Sequence, residues 1–78
     1  MKPIGILIAD DHPVVRDGLR GMLSSQPDFE VIGEAPDGAV VVRLAAELKP
    51  EIVLMDLRMP IMDGVTAIRE IKKFDPEV

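Results

Sequence analysis

Six consecutive apolar or small residues, Ile4-Gly5-Ile6-Leu7-Ile8-Ala9, run straight into two aspartates, and this narrows the folds open to the chain more than any other stretch. A strand with one wet face alternates polar and apolar residues. An unbroken run fits a strand covered on both faces, as in a parallel sheet. Pro3 stands at its entry, where a missing N–H is tolerated. A shorter run of the same kind, Ile52-Val53-Leu54-Met55, also ends in an acid, Asp56, and reads as a third buried strand.

Helical and turn signals fill the space between. Pro13 suits a first helical position, and Val15, Leu19, Met22 and Leu23 follow with helical spacing. The predicted helix spans 13–24, slightly weakened by Gly18 and Gly21 and ended by Gln26-Pro27-Asp28. Residues 29–35 read as a second strand, with Phe29, Val31 and Gly33 alternating against Glu30, Ile32 and Glu34. Its charged residues suggest a more exposed place than the first strand. Pro36-Asp37-Gly38 is a turn, with Asp37 as the N-cap of a helix carrying Val41, Leu44, Ala45 and Leu48 on one stripe and closed by Lys49-Pro50. After a loop over 57–63, Gly64 opens a third helix with Val65, Ile68 and Ile71 on one side, stopped by Asp75-Pro76. Strand and helix therefore alternate three times, which implies right-handed crossovers and a parallel sheet.

Composition excludes several classes. The chain has 78 residues and no cysteine, so it is one domain or part of one, without disulfides or thiolate metal ligands. Its apolar fraction of 47% is that of a packed domain, and with only Phe29 and Phe74 as aromatics the core must be aliphatic. A net charge of −5 argues against direct nucleic-acid contact by this segment, which would need Lys and Arg against phosphates. No stretch has the length of a membrane span, and Ile4–Ala9 is too short for a signal peptide core. The expected location is cytoplasmic.

Ligands in open α/β sheets bind beyond the carboxyl ends of strands, where the strand order reverses. With order 2-1-3 the first and third strands are neighbours, and Asp10, Asp11 and Asp56 converge in one crevice. Clustered carboxylates repel one another, and a divalent cation relieves the repulsion. A set of hard oxygen donors suits Mg²⁺, which takes one or two carboxylates and keeps waters for phosphate oxygens. One carboxylate is then free to act as a nucleophile toward phosphorus. Each residue also has a plainer reading. The Asp10-Asp11 pair can cap the next helix, and Asp56 can be a solvated strand end. His12 reads as a turn residue before Pro13, with ligand or base as the alternative. Met55, Met59 and Met62 are core filler or a partner surface. Arg58 either contacts phosphate or is solvated.

Two segments carry a family resemblance. Ile-Ala-Asp10-Asp11-His-Pro-Val-Val-Arg-Asp-Gly-Leu and Leu-Met-Asp56-Leu-Arg-Met-Pro60-Ile-Met-Asp63-Gly64 lie about 45 residues apart with two helices between them. They resemble the two N-terminal signatures of bacterial response-regulator receiver domains, in the variant that precedes a helix-turn-helix output of the nitrate-regulator (LuxR) type. The resemblance runs from Ile4 to Phe74. It implies a CheY-like, flavodoxin-like α/β fold and Asp56 as phosphoacceptor. It implies Mg²⁺ held by Asp11 and Asp56, by Asp10 through water and by the backbone carbonyl of Arg58. Met59-Pro60 would shape the loop, and a sensor histidine kinase would be the phosphodonor. The chain is then a signalling protein rather than an enzyme in the usual sense.

A full receiver has strand order 2-1-3-4-5. Against that pattern, residues 1–78 are expected to hold the N-terminal three strand–helix units, with the fourth and fifth strands and any DNA-binding output absent. The family's switch hydroxyl and its lysine belong to those absent strands. Ser24, Ser25, Thr66, Lys72 and Lys73 stand in the wrong places to replace them. The third strand then becomes an apolar edge, and the expectation is a homodimer or domain-swapped oligomer through it. Two other functions compete. A haloacid dehalogenase-like phosphatase needs Asp-x-Asp after its first strand, and here the aspartates are adjacent. A switching-incompetent fragment acting only as an interaction module fits the missing strands.

Overall fold

The computed structural model describes residues 2–78. Strand β1 (Ile4–Ala9), helix α1 (Pro13–Ser24), strand β2 (Phe29–Ala35), helix α2 (Gly38–Leu48), strand β3 (Ile52–Met55) and helix α3 (Gly64–Phe74) follow in the expected sequence and with the expected bounds. The three strands are parallel in the order β2-β1-β3, the first units of a doubly wound flavodoxin-like sheet. Paired on both sides and covered on both faces, β1 is buried from Gly5 to Ala9.

The two faces of the sheet are filled unequally. Leu7 and Ala9 point toward α2 and α3, and with Ala35, Val41, Ala45, Met59, Ala67 and Ile71 they form the main core. Ile6 and Ile8 alternate to the opposite face, toward α1. There the cover is thinner, for α1 contains no buried residue and exposes Val15 and Met22. No aromatic ring enters the buried set, and Phe74 is exposed.

Local chemistry sets the helix ends. The Val40 N–H donates to Asp37 Oδ1 (2.9 Å), capping α2 as anticipated. Lys49 adopts a left-handed conformation (φ 51°) and donates its N–H to the Ala45 carbonyl, closing the same helix before Pro50. Asp63 caps α3, accepting from the Thr66 N–H at 2.8 Å.

Three expectations need correction. The register of β1 against β2 slips between Ile6 and Leu7, where Val31 and then Gly33 are the partners, so Ile32 is an extra residue and the alternation expected along β2 breaks there. Strand β3 is the edge that was anticipated, and so is not the buried strand its composition alone implied. It pairs with β1 alone, Ile52 is exposed and Val53 to Met55 are half-buried. In α3 the inward residues are Gly64, Ala67 and Ile71, while Val65 and Ile68 are exposed, because positions 64, 67 and 71 fall on the one i, i+3, i+7 stripe turned to the core.

Candidate functional site

The ladder continues one residue past β1 and β3, which fixes where the acids emerge. The Asp10 N–H donates to the Ala35 carbonyl (3.0 Å) and the Asp56 N–H to the Ala9 carbonyl (2.9 Å). Both side chains thus leave the same edge of the sheet. Carboxylate oxygens of Asp10, Asp11 and Asp56 and a ring nitrogen of His12 lie within 4.8 Å of one another. The sequence-predicted trio is brought together.

Within this cluster one buried oxygen accepts no hydrogen bond. Asp11 Oδ1 is buried and receives no hydrogen bond. His12 Nδ1 lies 2.9 Å from it, yet the ring's hydrogen bond goes to Asp10 Oδ1 at 3.0 Å. A buried carboxylate oxygen without a donor is costly, and a cation removes that cost. The donor set, three hard carboxylates on two adjacent strand ends, fits a small divalent ion better than a soft one.

His12 occupies the turn expected of it. Its backbone N–H donates to Asp10 Oδ1 (2.8 Å), and the residue is the N-cap of α1 without capping by its side chain. Its exposed ring nevertheless joins the acids, a placement the turn reading passed over. The hydrogen bond to Asp10 and the charges of Asp11, Asp10 and Asp56 raise the imidazole pKa above its ordinary value.

Asp56 is held from the loop side. The Arg58 N–H donates to Asp56 Oδ1 (3.1 Å), and the Gly64 N–H donates to the Leu57 carbonyl (3.0 Å). A Cβ at Gly64 would stand 2.5 Å from the Asp56 carbonyl oxygen and 2.6 Å from Leu57 Cα, so only glycine lets α3 start this close to the site. Gly38 meets the Met62 backbone just as closely, bringing the start of α2 against the loop. Buried Met59 anchors the loop in the main core, as a core-filling methionine should. Among the charged residues of α3, Lys73 pairs with Glu70 (2.6 Å) and Lys72 donates to the Val78 carbonyl (2.5 Å), so both are engaged away from the acids.

On the α1 side the acids border an open groove lined by Ala9, Asp10, Leu19, Leu54, Met55 and Asp56, which leaves Asp56 approachable. The sequence reading missed three parts of this arrangement. Gly38 and Asp63 were seen only as turn and motif residues. Arg16, within the first signature, carries a guanidinium that reaches the Asp10 carbonyl (2.6 Å), and no spacing rule announces that contact.

Residues 6–78 match the response regulator receiver domain family. The chain belongs to the response-regulator receivers. This receiver is 52% identical over 77 residues to the transcriptional regulatory protein LiaR of Bacillus subtilis, a match covering 96% of the chain and 36% of LiaR. In structure it is similar to the signal receiver domain of the putative response regulator NarL from Mycobacterium tuberculosis, with TM-score 0.92, 33% identity, and coverage of 96% of this chain and 60% of that one. It is also similar to the CheX-CheY-BeF3-Mg²⁺ complex of Borrelia burgdorferi, with TM-score 0.86, 34% identity, and coverage of 95% and 56%. The receiver therefore spans about a third of the length of the curated relative and somewhat more than half of the solved chains. It is a two-component receiver of the nitrate-regulator type with a CheY-like fold, and among its described residues no helix is long and apolar enough to cross a membrane.

Proposed function

We propose that Asp56 accepts a phosphoryl group from a sensor histidine kinase, with Mg²⁺ bound at the acidic cluster, and that the receiver thereby regulates transcription through a helix-turn-helix output domain. The observation that carries this reading is the convergence of three carboxylates on one strand edge, among them a buried Asp11 oxygen that accepts no hydrogen bond. Asp11 and Asp56 would hold the ion directly, Asp10 through water, and the Arg58 carbonyl would add a third direct protein ligand. The Borrelia relative, solved with Mg²⁺ and BeF3, supports the same assignment. Bound there, Mg²⁺ supplies positive charge against the phosphoryl oxygens.

The chain's own residues do the rest. An Asp56 carboxylate oxygen forms the new P–O bond as the P–N bond of the phosphohistidine breaks. The open groove beside Asp56 admits the donor, and the Arg58 amide orients the Asp56 carboxylate. The product is a phosphorylated regulator, so the receiver is a signalling component rather than a classical enzyme, acting in the cytoplasm. Residues 1–78 correspond, in this reading, to the N-terminal part of a receiver, with the fourth and fifth strands and the output domain outside it.

A second reading rests on the open edge of β3. A half-buried apolar strand with one neighbour, flanked by a groove of Val53, Met55, Ile68, Ile71, Lys72 and Val78, is suited to pairing with another copy. Under this reading the chain self-associates or swaps elements through β3.

Binding of beryllofluoride, followed by ¹⁹F NMR with and without Mg²⁺, separates the two. The phosphoacceptor reading expects a metal-dependent bound signal, abolished by Asp56→Asn and weakened by Asp11→Asn. Absence of any bound signal, together with a dimer in sedimentation, favours the second.

A further inference from the structure

We propose that Arg16 is a positioning residue for the acidic pair. Its Nη1 donates to the Asp10 carbonyl oxygen at 2.6 Å. That carbonyl belongs to the planar peptide joining Asp10 to Asp11, so holding it fixes the plane from which the Asp11 side chain departs. The Arg16 side chain is only 18% exposed, and its Nε faces Glu34 Oε1 at 3.4 Å. Glu34 is held in turn by Arg20 Nη1 (2.8 Å), and Arg20 Nη2 reaches Asp17 Oδ1 (2.9 Å). Alternating charges thus run from the surface of α1, over the edge strand β2, to the peptide behind the site. The planar fork of arginine serves the carbonyl and Glu34 at once, whereas a lysine ammonium offers one nitrogen at a different reach. With the Asp10 carboxylate engaged by His12, both the side chain and the carbonyl of Asp10 are tied down, and Asp11 projects from a fixed frame.

A purely electrostatic role has the opposite sign. A guanidinium near a cation site repels the cation, so deleting its charge would tighten metal binding. Positioning requires that deletion weaken binding, as loss of groups behind metal ligands does.

This inference rests on the Mg²⁺ reading above, and the test separates the two. The chain, Arg16→Gln, Arg16→Lys and Arg20→Gln are compared first without metal, by backbone ¹⁵N order parameters, and then in a Mn²⁺ titration followed by water-proton relaxation. Both Arg16 variants should lower the order parameter at the Asp11 amide and weaken Mn²⁺ binding roughly tenfold. Arg20→Gln, which breaks the outer part of the same charge chain, should leave both readings at their original values. An Asp11 amide as rigid in Arg16→Gln and Arg16→Lys as in the unaltered chain, or tighter Mn²⁺ binding in Arg16→Gln, overturns the proposal. Failure of the unaltered chain to take up Mn²⁺ sinks the metal reading, and the order parameters still decide whether Arg16 holds the acidic pair. Circular dichroism identifies any variant that does not fold, and Arg16→Lys, which keeps the charge, then carries the comparison.

Discussion

Strands β1 and β3 both end in site acids, but they are secured in different ways. β1 has a neighbour on each side and helices over both faces, and its acids are tied by Arg16, by the His12 amide and by the ladder to β2. β3 has one neighbour and half-exposed side chains, and the position of Asp56 depends on two glycines that let helices close on its loop. One half of the site is therefore fixed by burial of a strand, and the other by close backbone approach. Stability and site geometry should respond differently to change in each half.

The largest contrast is expected between two leucines. Leu7→Ala empties fully buried space in β1 and should destabilise the fold by about 3 kcal/mol, while half-buried Leu54 in β3 should cost about 1 kcal/mol when truncated. Urea denaturation of the two variants measures the difference, and equal losses would erase the distinction between the strands. Next comes Gly64→Ala. The added methyl meets the Asp56 carbonyl oxygen at 2.5 Å, so the backbone must shift, at about 2 kcal/mol, with weaker Mn²⁺ uptake than stability alone accounts for. A smaller effect belongs to Asp37→Ala, which removes the α2 cap for about 1 kcal/mol in thermal unfolding and leaves metal uptake intact in the folded protein.

The smallest effect is a pH dependence. The His12 imidazole has a raised pKa in the fold, so its protonated form stabilises the native state. That contribution is fully present below the unfolded-state pKa and disappears as pH rises through the folded value. An NMR titration of the ring should place its midpoint above the ordinary histidine value, and both Asp10→Asn and added Mg²⁺ should lower it. A midpoint insensitive to either would detach His12 from the acids.

Much of this was legible from residue order. Proline, aspartate and Lys49-Pro50 punctuation coincides with element ends because each removes a donor, caps a helix or forces a turn. Site acids could be found because a parallel sheet delivers strand ends to one edge. Side-chain reach was not legible. Arg16 and Glu34 are 18 positions apart, and their pairing depends on how α1 lies across β2. Nor was the inward face of α3, since burial there goes to small Ala67 and not to the larger Val65 and Ile68. Apolar character marked β3 as buried, but its place at the end of the strand order marked it as an edge, and it is the edge reading that holds.

The extra residue in β2 settles which side of the sheet its last residues take. With Ile32 unpaired, Glu34 lies beside Ile8 and faces α1, and Ala35 lies beside Ala9 against the main core. Removing Ile32 alone would leave Val31 beside Ile6 and Gly33 beside Leu7 in an unbroken ladder, so the carboxylate would still face Arg16 and the methyl the core. A residue inserted after Gly33 is the harmful change, since it would move Glu34 and Ala35 to the wrong faces; this outer strand should therefore bear loss of Ile32 better than any gain in length.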